Sequence, residues 1–296
     1  MTIRNPLEWG YDQARSLSRA TASGSRAAAY GEGQGMNALV PSICRITVAD
    51  LKEALAKGFD DFGAYRTDVI FVCLIYPVAG LVLWRVAYGG DMLQLLFPLA
   101  SGFALVGPFA AVGLYEMSRR REEGMEVSWW DAFGVLQSPS FGGILTLGLV
   151  LMAIFLAWIL AAQAIYVATL GPAPPNAFGP FLQEVFTTGA GWTLIGAGIG
   201  VGFLFAVVVL TISVVSFPLL LDRHVGVATA IWTSVRAVMA NPVPMAVWGL
   251  IVAGSLVLGS IPLLVGLIIV MPVLGHATWH LYRKVVSPGA LPKTAP

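Results

Sequence analysis

The chain has 296 residues, with 17 Lys and Arg against 16 Asp and Glu, and is 57% apolar with a mean hydropathy of +0.79. Charged residues make up 11% of it, under half the roughly 25% of a soluble domain, and they are gathered between long uncharged runs. That excludes a soluble globule, and dispersed basic residues without a recognition motif give no sign of nucleic-acid binding.

Residues 1–42 are rich in Arg, Ser, Ala and Gly. No apolar core follows the basic start, so no secretory signal is expected; low hydrophobicity predicts a disordered cytoplasmic tail. Thr47 to Phe62 reads as an amphipathic helix capped by Thr47 or Asp50, with Leu51, Leu55, Phe59 and Phe62 on one face. A first span follows at about Val69 to Tyr88, whose one charge, Arg85, lies near its end. Gly89-Gly90-Asp91 reads as a turn, and a second span runs over about Leu93 to Met117. Arg119-Arg120-Arg121 then precedes a second amphipathic helix with Trp129, Trp130, Phe133 and Leu136 on its apolar side, ended by Pro139. The third span covers about Gly142 to Thr169. At 1.5 Å per residue it is roughly 40 Å long, which requires tilt in a ~30 Å core.

A Pro-rich loop without Lys or Arg, Gly171 to Gly191, leads to the fourth span, about Trp192 to Leu221. Asp222 to Asn241 reads as a third amphipathic helix with an apolar stripe of Val227, Ile231, Val235, Val238 and Met239. The uncharged run from Met245 to Tyr282 suits two spans joined at Gly259-Ser260-Ile261-Pro262. Arg283-Lys284 and a short cytoplasmic tail, 287–296, close the chain. Cys44 and Cys73 lack metal-ligand spacing and read as reduced, minor thiols.

A shift of 103 residues places Trp129 on Trp232, Leu136 on Met239, Pro139 on Pro242 and Arg120 on Arg223. With Leu51 to Phe62 as a weaker third copy, the order of elements predicts three units, each a surface helix followed by a transmembrane hairpin. The expected fold is therefore all-α, a polytopic bundle of six transmembrane helices over residues 43–286. With both termini cytoplasmic, every Lys and Arg except Arg85 lies on the inner side, as the positive-inside rule requires.

The segments DLKEALAKGFDDF, PLASGFALVGPFAAVGLYEMSRRREEG and SWWDAF carry a resemblance. They resemble a family of predicted bacterial integral membrane proteins, a domain of unknown function, over roughly Ile43 to Val286. Gly107-Pro108 through Arg120 is the most specific part. Some members are described as cytochrome c oxidase components. The resemblance implies a bacterial inner-membrane protein with a respiratory oxidase as partner, and supplies no catalytic residue.

Candidate chemistry is sparse. His276 and His280, four apart, share a helix face and read either as metal or haem ligands or as interfacial histidines bonding headgroups and neighbouring helices. No carboxylate or cysteine lies near them in sequence, which favours the second reading and leaves no cofactor expected. Glu116, with Arg119 and Arg120, reads as a polar cluster at the inner mouth or as a carboxylate paired at helical spacing. Gly196, Gly198, Gly200 and Gly202 lie within an apolar span and read as a helix-packing face. Gly102 and Gly107-Pro108 suit close packing or a kink.

No acid or base sits mid-span, where ion-coupled transport usually needs one. No Walker loop, HExxH, GxSxG or CxxC occurs. The expected function is a membrane scaffold, assembly factor or accessory subunit in the lipid bilayer, not an enzyme. The alternative is a small transporter or channel with a path between the hairpins.

Overall fold

The computed structural model describes residues 41–73, 81, 85, 92–125, 127–223, 225–262 and 264–287. The tail 1–40, most of the first span, the Gly89-Gly90-Asp91 turn, His224 and residues 288–296 lie outside the described residues. Helix α1 runs Val48–Cys73. A 3-10 turn, Leu93–Leu95, opens α2 (Leu96–Ala110), which continues as α3 (Val112–Glu122). A nine-residue 3-10 helix, Trp129–Gln137, precedes α4 (Phe141–Leu170). Next come α5 (Phe178–Thr187), α6 (Gly189–Ser213) and α7 (Ser216–Asp222). The last three are α8 (Val227–Ala240), α9 (Pro242–Ser260) and α10 (Leu267–Val285).

Among the described residues the structure is helical, apart from one antiparallel bridge between Ile43 and Val286. Four stretches are long and apolar enough to cross a membrane: Leu93–Glu122, Phe141–Leu170, Gly189–Asp222 and Pro242–Ser260. Of the six expected spans, the first falls mostly on residues outside the description. The sixth, α10, is less apolar because its second half holds His276, His280, Arg283 and Lys284. The turn before it lies slightly later than expected, at 261–262 and 264–266, and Leu264 there takes a left-handed φ of 67°.

The internal repeat has a structural counterpart. The second expected span is broken at Ala111, between α2 and α3, and the fourth at Val214-Val215, between α6 and α7. Ala111 and Val214 are related by the same shift as Trp129 and Trp232. At the second break the Val215 N–H donates to Ser234 Oγ of α8 (3.2 Å), so a side chain satisfies the backbone group there. The surface elements also keep their order: the 3-10 helix leads into α4 after Pro139, and α8 leads into α9 at Asn241-Pro242.

Burial is uneven along the bundle. Leu114 to Ser118 of α3, Ser216 to Leu221 of α7 and Val273 to Ala277 of α10 are buried, all toward the end that carries the arginines. The middle and far parts of α4, α6 and α9 expose large apolar side chains such as Leu160, Phe203, Leu204 and Leu250. In water such a surface would be costly; facing lipid tails it costs nothing.

Two surface helices also bury residues outside their apolar stripes. In α1 the buried positions are Leu51, Ala54, Gly58 and Asp61, while Phe59 points outward at 56% exposure. In α8 the buried face is Ala230, Thr233, Ser234 and Ala237, while Trp232 and Met239 are exposed. Small residues go inward because they let helices approach closely, and large apolar ones gain little by being buried when their alternative is lipid. The second expected amphipathic α-helix is a 3-10 helix, with Val135 buried and Leu136 exposed. The glycine face on α6 is also sparser than expected. A Cβ at Gly196, Gly198 or Gly200 would meet nothing within 4 Å, whereas at Gly202 it would lie 3.1 Å from Trp158. Gly102 packs closely, with Phe155 occupying the place of its missing Cβ.

The α1–α10 crossing depends on one glycine. A Cβ at Gly58 would lie 2.7 Å from the Ala277 Cβ and 2.8 Å from the Val273 carbonyl oxygen, so backbone would have to move. We expect Gly58→Ala to destabilise the folded protein by about 1–3 kcal/mol through overpacking. Gly63→Ala, on the same helix with nothing within 4 Å, should be neutral or stabilising by up to about 1 kcal/mol. Thermal unfolding of the two variants in mild detergent tests the pair.

Candidate functional site: a buried Asp-His-Ser cluster and the arginine knot

Helix α1 begins where Thr47 N–H and Oγ1 both donate to Asp50 Oδ2 (2.8 Å each). These bonds, with those from Lys284, pull the Asp50 carboxyl down to about 2. Lys284 at the end of α10 reaches Asp50 (3.1 Å) and Glu53 (2.6 Å), so charge pairs clamp the start of α1 to the last turn of α10. The chain ends of this pair meet too: Cys44 N–H donates to the Val285 carbonyl and Ser287 N–H to the Ser42 carbonyl.

Three turns into α1, Asp61 is carried into the interface with α3 and α10 and is 5% exposed. Its Oδ2 accepts from Ser118 Oγ of α3 at 2.6 Å and lies 2.8 Å from His280 Nε2 of α10. Its Oδ1 accepts from Arg121 of α3 at 2.5 Å. Ser118 Oγ is also 2.7 Å from His276 Nδ1, and His276 is fully buried. Burial works against ionisation of Asp61, but hydrogen bonds from His280 and Ser118 and attraction from both histidines outweigh it. The carboxyl is held below its ordinary value. His276 Nε2 has no hydrogen-bond partner.

The arginine knot divides its work among four acids. Arg119 grips Glu116 with two bonds, Nε to Oε2 at 2.8 Å and Nη2 to Oε1 at 2.7 Å, and reaches Glu123 at 3.2 Å. Arg120 Nε donates to Glu116 Oε1 at 2.7 Å, and its Nη1 donates to Asp131 Oδ1 at 2.5 Å. Asp131 Oδ2 meanwhile accepts the Ser128 N–H at 2.8 Å, capping the 3-10 helix. Gly134 leaves room there: a Cβ on it would lie 2.9 Å from the Arg120 guanidinium. Arg121 turns the other way, to Asp61. A further layer ties α3, α7 and α10. Trp279 Nε1 donates to Glu122 (3.1 Å), Tyr282 OH to Asp222 (2.6 Å), and Arg283 Nε to Glu122 (3.1 Å).

The candidate residues thus fall into two groups. Glu116, Arg119 and Arg120 form one cluster, which is paired within itself and to Asp131. His276 and His280 meet Asp61, which lies off the apolar stripe of Leu51, Leu55, Phe59 and Phe62 on α1. Among the described residues no group of three or more His, Cys, Asp and Glu side chains is arranged to hold a metal ion. The missed signal for Asp61 was local: it follows Ala54 and Gly58 at spacings of four and three, on the face of small residues that packs against α10.

Helices of this length and apolarity, exposing large aliphatic side chains along much of their length, define a polytopic α-helical membrane protein. Residues 96–222, from the start of α2 to the end of α7, match the model of a family described as predicted integral membrane protein (DUF2189). No curated protein and no solved structure matches the chain.

Because the folded value of Asp61 is depressed, its stabilisation is complete above the ordinary carboxylate value of 3.8 and is lost as pH falls through the lower folded value. Asp61→Asn should remove that acid-sensitive component. We further expect Asp61→Ala to cost about 2 kcal/mol by leaving buried Ser118 and half-buried His280 without their acceptor. Unfolding profiles of both variants against pH, in mild detergent, check the two effects.

Proposed function

We propose that the protein is a non-catalytic scaffold, assembly factor or accessory subunit of a bacterial inner membrane, with a respiratory complex as the expected class of partner. One observation carries this reading. The charged groups at the candidate sites are already paired within the protein: Glu116 with two arginines of its own helix, Asp61 across helices with Arg121, Ser118 and His280, and Glu122 and Asp222 with α10. A catalytic or carrier site keeps such groups available to substrate. The reading places six spans in three hairpins, with the helix from α1 continuing as the first and α10 as the sixth. Both termini and the arginine-rich end face the cytoplasm, since the Lys and Arg residues gather there.

A second reading, a small transporter or channel, is favoured by the paired breaks at Ala111 and Val214-Val215. Interrupted helices at corresponding positions of a repeat are where carriers place their sites. The buried side-chain oxygens of Gln94 and Gln163, which have no hydrogen-bond partner, point the same way.

Purification from native membranes in mild detergents separates these. A scaffold co-migrates with a defined partner set; a chain that runs alone in every mild detergent counts against it, and solute flux in proteoliposomes would favour the carrier. For topology, with Cys44 and Cys73 replaced by Ser, a Glu123→Cys variant should react with a membrane-impermeant thiol reagent only after permeabilisation. An Ala173→Cys variant should react in spheroplasts, and the reverse pattern would invert the orientation.

A further inference from the structure

Helix α8 is 14 residues long, about 21 Å, too short to cross a ~30 Å hydrocarbon core. Its packing is nevertheless that of a helix in lipid. The face against its neighbours is Ala230, Thr233, Ser234 and Ala237, and the outward face carries Trp232 (58% exposed) and Met239 (75% exposed). Water would drive the opposite arrangement. The repeat partner of Met239, Leu136, is likewise exposed at 59%, so the outward placement recurs in two units.

Between Trp232 and Met239 on the outward stripe stands Arg236, at spacings of four and three. It is exposed and has no acidic partner among the described residues. Arg45 is a second exposed arginine of the same kind. Asn241 holds it beside the end of α8: its Oδ1 accepts the Ile46 N–H at 2.8 Å and its Nδ2 donates to the Cys44 carbonyl at 3.1 Å. Elsewhere at this end, the arginines of the knot are neutralised by acids of the chain. The uncompensated positive charge thus lies beside an apolar stripe too short to span, which is the pattern of a helix seated at the headgroup boundary.

We propose that this stripe is a binding site for an anionic phospholipid of the leaflet at the arginine-rich end. Acyl chains lie against Trp232 and Met239. The positive charges of Arg236 and Arg45 attract the phosphate, each contributing separately. The site rests on the membrane class of the protein and not on a scaffold or carrier role.

The test uses the full-length protein, delipidated in mild detergent and titrated with dioleoyl phosphatidylglycerol or dioleoyl phosphatidylcholine, with bound lipid counted by native mass spectrometry. The wild type should retain phosphatidylglycerol preferentially. Arg236→Gln should weaken that retention about fivefold, the double variant with Arg45→Gln should abolish the preference, and Arg236→Lys should keep it, since each basic side chain near a lipid surface contributes separately. Unchanged thermal unfolding shows that these exposed variants fold. In nanodiscs of brominated phosphatidylglycerol, the fluorescence component that Trp232→Phe removes should be quenched. Equal phosphatidylglycerol retention by the double variant overturns the proposal. An unquenched Trp232, as when a partner protein or water covers the stripe, overturns it equally.

Discussion

The packing of this bundle depends on a carboxylate placed where apolar packing would otherwise be expected. Asp61 sits between α1, α3 and α10 and takes a hydrogen bond or charge partner from two of them. Removing a carboxylate from water is costly unless partners replace its hydration. Ser118, His280 and Arg121 supply that replacement, and each is fixed on a different turn of its helix. The helices are therefore held in one register, since sliding either by a turn would leave the acid buried and unpaired. The same logic repeats outward, through Arg120 with Asp131, then Glu122 and Asp222 with Arg283, and finally Asp50 and Glu53 with Lys284.

These pairs work beside an apolar packing scheme that lipid inverts. In a soluble bundle the largest aliphatic residues point inward. Here Gly58 meets Ala277 across α1 and α10, Gly102 receives Phe155, and α8 presents Ala230, Ser234 and Ala237 to its neighbours. Close approach of backbones gives dispersion contact that lipid tails cannot match, and no hydrophobic gain competes for the large residues. One helix also satisfies a polar group of another, where Ser234 accepts the Val215 N–H freed by the break between α6 and α7.

Much of the frame was readable along the chain. Long uncharged runs located the apolar helices, the Trp-to-Pro spacing marked the repeat, and Glu116 stood at helical spacing from Arg119 and Arg120. What the apolar stripes did not show was which residues the protein would bury: α1 buries Asp61, off its stripe, and leaves Phe59 exposed, and α8 buries Thr233 and leaves Met239 exposed. The glycines of α6 were misjudged for a related reason. Spacing shows that a face of small residues exists, but only Gly202 has a neighbour, Trp158, within reach.

By itself the sequence determined the helical membrane class, because charge-poor runs of this length have no other stable solution in water or lipid. It also determined the order of surface helix and apolar run, which follows from local spacing of Trp, Pro and basic residues. Only the tertiary structure decided which residues meet. His276 and His280 acquire their carboxylate from a helix more than two hundred residues earlier, and Arg120 and Arg121, adjacent in sequence, turn to Asp131 and Asp61 on opposite sides. Periodicity reports which residues share a face. It does not report what that face is pressed against, and in this protein the surroundings, lipid on one side and a buried carboxylate on the other, set the meaning of each face.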